Sequence, residues 1–231
     1  MTPEVLAEVM EATWPPARAW REGAFTLRDG AGGGKRVSAA SCEGGFGAED
    51  LDRLEATMAE PLVLVRAGED DLDQALAERG WRFVDPVVAY VAPVSALMAE
   101  LPPLAAFAHW PPLQIAASIW EEGGIGPARI GVMERVTGAK SAVLARSGDR
   151  PAGAAFVAAH GAHAMLHALE VRPHLRRQGA GEIILRAAAN WAAEQGAEQL
   201  SLVVTERNAA ARALYDRLGM RVVGRYHYRT K

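Results

Sequence analysis

The sequence contains a single cysteine, Cys42, among 231 residues. One cysteine excludes an internal disulfide framework and a thiolate-based metal site, and it fits a reducing compartment. The N-terminal segment has neither the basic start nor the apolar stretch of a secretory signal peptide. The chain also lacks any run of about 18 apolar residues, the length needed to span a bilayer. We therefore expect a cytoplasmic protein with no membrane partner.

Net charge is also small, at −3, but it is unevenly divided along the chain. Residues 1–112 carry 9 Lys and Arg against 18 Asp and Glu, whereas residues 113–231 carry 16 against 10. A moderate positive surplus fits a small anionic ligand at least as well as nucleic acid, which usually needs a denser basic surface. We expect no nucleic-acid partner, although two solvated surfaces of opposite sign would give the same pattern.

Apolar residues make up 50% of the chain and charged residues 23%, which is typical of a folded protein with one large or two small domains. Prolines cluster between Ala92 and Pro112 and predict a linker at residues 93–112. The linker divides the chain into a first domain at residues 1–92 and a second at residues 113–231.

Hydrophobic periodicity predicts a mixed α/β fold for both halves. The first half shows two strands at 23–28 and 35–41, then a helix, a buried strand, a helix closed by Gly80 and a final strand. The second half begins with helices over 113–136 and continues with an antiparallel meander of three strands. A helix over 181–195, a buried strand, a helix capped by Asn208 and a last strand complete the pattern.

The ends of the two halves resemble each other faintly. Their last helix, glycine and strand can be aligned so that Gly80 falls on Gly219 and Leu76 on Tyr215. The alignment favours a duplicated unit whose first copy has degenerated, and chance similarity is the alternative.

The segment from Leu169 to Gly181 carries the clearest chemical signal, because a strand runs there into a basic turn that opens a helix. The first N–H groups of a helix have no partner inside it and, with the helix dipole, form a site for phosphate oxygens. Gly179 and Gly181 allow close backbone approach, and Arg172, Arg176 and Arg177 supply positive charge. A ligand that carries a pyrophosphate fits this turn. A glycine-rich segment at residues 30–35 departs from the P-loop pattern and predicts only a hairpin turn.

The turn Arg176-Arg177-Gln178-Gly179-Ala180-Gly181 resembles the acetyl-coenzyme A loop of the GNAT family of N-acetyltransferases, Gln/Arg-x-x-Gly-x-Gly/Ala. The stretch from Asn208 through Leu214-Tyr215 to Gly219-Met220 resembles the second signature of the family. The resemblance covers about residues 113–231. It implies an α/β, two-domain GNAT-like architecture in which a mixed, mostly antiparallel sheet is flanked by helices and splays open at a cofactor cleft.

The resemblance also implies roles for particular residues. Leu169 and Val171 would pair through their backbones with the pantetheine arm of acetyl-CoA, and the turn at 176–181 would hold the pyrophosphate. Asn208 would contact the pantetheine arm. Tyr215 would be the general acid that protonates the departing thiolate.

The general base is open, because Met165 and Val203 stand where some members of the family carry a catalytic Glu. His167 is our preferred base, since imidazole titrates near neutral pH, and its segment resembles the arylalkylamine branch of the family. On a regular strand His167 shares a face with Met165 and Leu169. Glu170, the second candidate, then points to the other face unless a β-bulge turns it inward.

The sequence therefore predicts an N-acetyltransferase that moves an acetyl group from acetyl-CoA to a primary amine of a small molecule or peptide. The amine attacks directly in a ternary complex, and no metal is involved. The alternative is a non-catalytic acyl-CoA-binding sensor or interaction module. We expect a monomer or homodimer in which the first half helps to wall the acceptor pocket and offers its acidic surplus to a cationic amine.

Overall fold

The computed structural model describes residues 1–231, in which strands and helices alternate over most of the chain. The strands are β1 (Arg18–Glu22), β2 (Phe25–Asp29), β3 (Ala40–Cys42), β4 (Leu62–Arg66), β5 (Arg82–Pro93), β6 (Ala106–His109), β7 (Lys140–Ser147), β8 (Arg150–His160), β9 (His163–Val171), β10 (Gln199–Thr205) and β11 (Arg221–Thr230). The helices are α1 (Pro3–Thr13), α2 (Ala48–Thr57), α3 (Asp70–Glu78), α4 (Val94–Leu97), α5 (Gln114–Glu122), α6 (Pro127–Arg135), α7 (Ala180–Glu194) and α8 (Ala209–Arg217).

All strands belong to one sheet with the order β1-β2-β3-β4-β11-β5-β10-β9-β8-β7-β6. Only β3–β4 and β9–β10 pair in parallel, and every other pair is antiparallel. The predicted class, a mixed and mostly antiparallel sheet flanked by helices, is confirmed. The predicted meander is present as β7, β8 and β9.

The two halves exchange strands at the centre of the sheet. The order β3-α2-β4-α3-β5 in the first half repeats as β9-α7-β10-α8-β11 in the second. The last strand of each unit pairs with the penultimate strand of the other, as β5 with β10 and β11 with β4. The repeated order supports the duplication that the sequence predicts, and the division into domains at residues 93–112 stays a prediction.

Helices cover both faces of the sheet. On one face α7 packs through Ile184, Ala188 and other buried residues against Leu166 and Leu202 of the parallel strands. On the other face α5 and α6 pack with Trp14 and Phe156. No helix combines the length and the apolar character that crossing a membrane requires.

Some elements differ from the sequence-based expectations. Helix α1 is not among the predicted elements. It begins at Pro3, where proline is tolerated because the first helical N–H needs no partner, and Thr2 caps it. The predicted strand over 35–41 is wrong in its first part, since Lys35–Val37 form a 3-10 turn. The predicted linker contains the short helix α4 and strand β6, which pairs with β7.

Candidate active site

The parallel strands β9 and β10 separate part of the way along the sheet. Their pairing runs from Gln199 opposite His163 to Leu202 opposite Leu166. Beyond this point β9 continues to Val171 and β10 to Thr205 without pairing to each other. The predicted splay is therefore present, and the free edge of β9 begins at His167.

The turn that follows β9 exposes a row of backbone donors. The N–H groups of residues 177–182 donate to no protein acceptor, and the first bonded N–H of helix α7 belongs to Ile183, which donates to the Gly179 carbonyl. Gly179 has a φ of 86°, a left-handed conformation that favours glycine. A Cβ on Gly181 would lie 3.1 Å from Leu214 Cδ2, so glycine also permits the close approach of α8. The turn has the form of an anion-binding site.

The side chains of the turn are partly engaged with their neighbours. Arg176 donates to the Val171 carbonyl at 3.0 Å and to Glu170 Oε1 at 2.9 Å. Gln178 Oε1 accepts a hydrogen bond from the Ser147 hydroxyl at 2.9 Å. Arg177 is exposed and forms no ion pair, so its guanidinium remains available to a ligand.

A β-bulge in β9 changes which side chains share a face. Phe156 of β8 lies opposite His167, but Ala154 lies opposite Glu170, so β9 has one residue more than β8 in this stretch. Ala168, within the bulge, has a φ of 51°. His167 and Glu170 therefore point to the face that α1, α5 and α6 cover. The expectation that His167 shares a face with Leu169 is wrong, because Leu169 packs on the α7 side of the sheet.

His167 is buried, and its two ring nitrogens both have partners. Arg36 Nη1 lies 2.9 Å from Nδ1, and Thr13 Oγ1 lies 2.9 Å from Nε2. Arg36 can only donate, so Nδ1 accepts and Nε2–H donates to Thr13, whose hydroxyl donates to the Val9 carbonyl at 2.5 Å. Burial, and secondarily the charge of Arg36, hold the pKa of His167 well below its ordinary value. The imidazole is neutral at physiological pH.

Glu170 lies at the mouth of the splay, close to the connection between α5 and α6. Its side chain occupies the space beside Gly123, where an added Cβ would come within 2.4 Å of Glu170 Cγ. Its carboxylate pairs with Arg176 of the turn. The two candidate bases thus occupy one face of β9, and each has a guanidinium as its partner.

Tyr215 lies on the opposite face, in the core formed with α7. Its ring centroid is 5.4 Å from that of Tyr90, a residue of the first half that strand exchange inserts beside β10. Burial, with a smaller contribution from Tyr90, raises the pKa of Tyr215 to about 12. Asn208 caps α8 by accepting from the Ala211 N–H at 3.1 Å, which confirms the predicted N-cap.

Sequence reasoning missed the groups that the first half brings to this site, namely Thr13, Trp14, Arg36 and Tyr90. Trp14 stacks on the His167 ring at a centroid distance of 4.9 Å. These residues belong to no recognisable sequence motif and lie far from His167 in the sequence, so no local pattern could identify them. No group of three or more His, Cys, Asp or Glu side chains is arranged to hold a metal ion.

Comparisons with known proteins agree with this geometry. The profile of the acetyltransferase (GNAT) family matches residues 106–220. The uncharacterised N-acetyltransferase YobR of Bacillus subtilis (strain 168) is 26% identical over 237 residues, which cover 95% of each chain.

Solved structures share the fold over nearly the whole chain. A GCN5-related N-acetyltransferase from Kribbella flavida superposes with a TM-score of 0.75 at 17% identity and covers 100% of this chain and 96% of that one. A tandem GNAT protein of the clavulanic acid biosynthesis pathway gives a TM-score of 0.63 at 15% identity, over 98% of this chain and 87% of that one. At these identities the likeness is one of fold.

Proposed function

This chain belongs to the GNAT acetyltransferase family through residues 106–220, and from this premise we propose that it transfers the acetyl group of acetyl-CoA to a primary amine. The amine, on a small molecule or a peptide, attacks the thioester directly in a ternary complex. The observation that carries the proposal is the row of unpaired N–H groups at residues 177–182, placed directly beyond the splay of β9 and β10.

The residues at the splay fit acetyl-CoA, which supplies a thioester as the acetyl donor. The N–H groups of the turn, with Arg177, would hold the pyrophosphate. The free edge of β9 at Leu169 and Val171 would pair with the amide groups of the pantetheine arm, as an added strand does. Asn208 uses its side-chain oxygen as the helix cap, which leaves its amide nitrogen free to donate to the same arm.

Tyr215 is proposed as the proton donor to the departing thiolate. Because the pKa of its phenol is raised to about 12, the hydroxyl is fully protonated at neutral pH. The raised pKa also makes the phenol a weak acid, so it would give up its proton only as negative charge develops on the sulfur.

His167 is proposed as the group that takes the proton from the amine, with Glu170 as the alternative. The imidazole is neutral and therefore has a lone pair to offer, but that lone pair, on Nδ1, accepts from Arg36. His167 can act as a base only when Arg36 turns away from it. Glu170 pairs with Arg176 through Oε1, so its Oε2 keeps lone pairs that could take the proton.

The test is calorimetric titration of the full chain with acetyl-CoA, followed by a screen of amines for thiol release. The variant Gly179→Val/Gly181→Val is expected to lose binding, because one substitution strains a left-handed residue and the other meets Leu214. The control is Gly80→Val, at a glycine of similar φ outside the turn, and this variant should retain acetyl-CoA binding. Failure of the intact protein to bind acetyl-CoA would refute the proposal.

The alternative of a non-catalytic acyl-CoA sensor is favoured by one observation, the occupied lone pair of His167. The variant Tyr215→Phe separates the two functions. An enzyme loses turnover and keeps its affinity for acetyl-CoA, whereas a sensor shows no turnover to lose.

A further inference from the structure

A cavity of about 390 Å³ lies between α1 and the sheet, on the face that carries His167. Its floor consists of residues of β3, β4 and β11, and one side is the flank of α1. Trp14 and Arg36 also line it, and these are the residues that stack on His167 and donate to it. The cavity of the first half therefore adjoins the candidate base of the second.

Arginines dominate the polar lining of this cavity, and all but one are paired with carboxylates. Arg28 pairs with Glu11 at 3.0 Å, Arg66 with Glu69 at 3.1 Å, and Arg225 with Glu206. Two of these carboxylates, Glu11 and Glu69, belong to the acidic first half, and both neutralise arginines here. The expectation that the acidic surplus of the first half attracts a cationic amine finds no support in this cavity.

Arg36 is the exception. It is partly buried and forms no ion pair, and its one hydrogen bond is to the neutral Nδ1 of His167. Its guanidinium lies 5.7 Å from the Trp14 ring centroid, within cation–π range. A partly buried guanidinium without a carboxylate, facing a cavity, is a site for an anion.

We propose that Arg36 binds the carboxylate of the acetyl acceptor and that the acceptor is an α-amino acid; the proposal rests on the function proposed above. The amine and the carboxylate of an α-amino acid are attached to the same carbon. A carboxylate held by Arg36 therefore places the amine beside His167, whose Nδ1 is 2.9 Å from Arg36. Leu6, Met10 and Leu64 in the lining fit an apolar side chain.

Binding of the carboxylate by Arg36 would also free the lone pair on His167 Nδ1, which Arg36 occupies in the structure. When the guanidinium turns toward a carboxylate, Nδ1 is released and can accept a proton from the amine. Nε2–H stays bound to Thr13 and keeps the ring oriented. The acceptor thus frees the base that its own amine needs, and an amine without a carboxylate leaves Arg36 in place.

The experiment titrates the full chain, saturated with coenzyme A, with apolar L-α-amino acids and in parallel with their carboxamides. We expect the acids to bind at least about tenfold more tightly than the amides, the ratio typical of a charge-assisted hydrogen bond. Arg36→Gln should abolish this preference, and Arg36→Lys should restore part of it. Arg82→Gln, at an exposed arginine of β5 outside the cavity, is the matched control.

Equal binding of acids and amides by the wild type would overturn the inference, as would a preference for acids that survives Arg36→Gln in a folded protein. Thermal unfolding verifies that the variants are folded.

Acetyl-CoA binding, measured in the same preparation, distinguishes failure of the proposed acceptor class from failure of the proposed acetyltransferase function. If acetyl-CoA binds and only amines without a carboxylate are acetylated, the acceptor class is wrong and the proposed function stands. If acetyl-CoA does not bind, the proposed function fails and the acceptor class fails with it.

Discussion

The buried, neutral state of His167 has a measurable effect on stability. In the unfolded chain the imidazole titrates at its ordinary pKa of 6.5, whereas in the folded protein burial and Arg36 hold the pKa well below that value. Below the ordinary pKa the unfolded state therefore binds a proton that the folded state does not, and stability falls as pH falls. Going from about pH 7.5 to about pH 5.5, one such group costs about 1.4 kcal/mol of unfolding free energy.

The assay is urea unfolding at both pH values for the wild type and for His167→Gln, which retains a polar side chain but does not titrate. Other titrating groups contribute equally to the two proteins, so their pH dependences should differ by about 1.4 kcal/mol. Identical pH dependences would show that His167 is accessible to protons in the folded state. A wild type stabilised by acid would show that the ring is charged, which contradicts the hydrogen bond from Arg36.

Further substitutions test the proton donor, the second candidate base and the contact between halves. Tyr215→Phe should lower kcat by roughly 10²–10⁴ without changing the affinity for acetyl-CoA, measured by steady-state kinetics and calorimetry. Gly123→Ala would place a Cβ 2.4 Å from Glu170 Cγ and displace the Glu170 carboxylate. In kinetic assays kcat should be preserved if His167 is the base, and it should fall if Glu170 is the base. Gly33→Ala would meet Val132 Cγ2 at 2.4 Å, and overpacking there should cost about 1–3 kcal/mol in urea unfolding.

The part of the site that depends on local sequence was predictable. The glycines of the turn at 176–181 and the start of α7 follow from backbone requirements that neighbouring residues express directly. The buried side of α7, with Ile184, Ala188 and Trp191, follows from helical periodicity. The N-cap at Asn208 is equally local, since its side chain bonds a backbone N–H three residues ahead.

The bulge in β9 could not be predicted in the same way. The segment around Ala168 has no glycine or proline to indicate an irregular strand, and a φ of 51° is unusual for alanine. A distant residue supports this conformation, since Trp120 Nε1 donates to the Ala168 carbonyl at 2.8 Å. The sequence left the orientation of Glu170 conditional on such a bulge, and only the tertiary contact decides it.

Sequence patterns could not predict the exchange of β5 and β11 either, because it also depends on contacts between distant residues. Either strand presents an apolar face that fits the position of the other, so periodicity cannot decide which one lies beside β10. The structure places β5 there, with Val88, Tyr90 and Ala92 in the core that contains Tyr215. Long-range pairing of this kind depends on the whole sheet rather than on any window of sequence.

The first half supplies packing and hydrogen-bond partners to both groups proposed for proton transfer. The proposed acid, Tyr215, packs against Tyr90, and the proposed base, His167, is held by Thr13, Trp14 and Arg36, all from the first half. The turn proposed to bind the cofactor, residues 176–181, lies entirely in the second half. In the proposed function the turn, the acid and the base all belong to the second half, and the first half supplies the partners of the acid and the base. Substitutions in the first half should therefore alter proton transfer while leaving the affinity for acetyl-CoA unchanged.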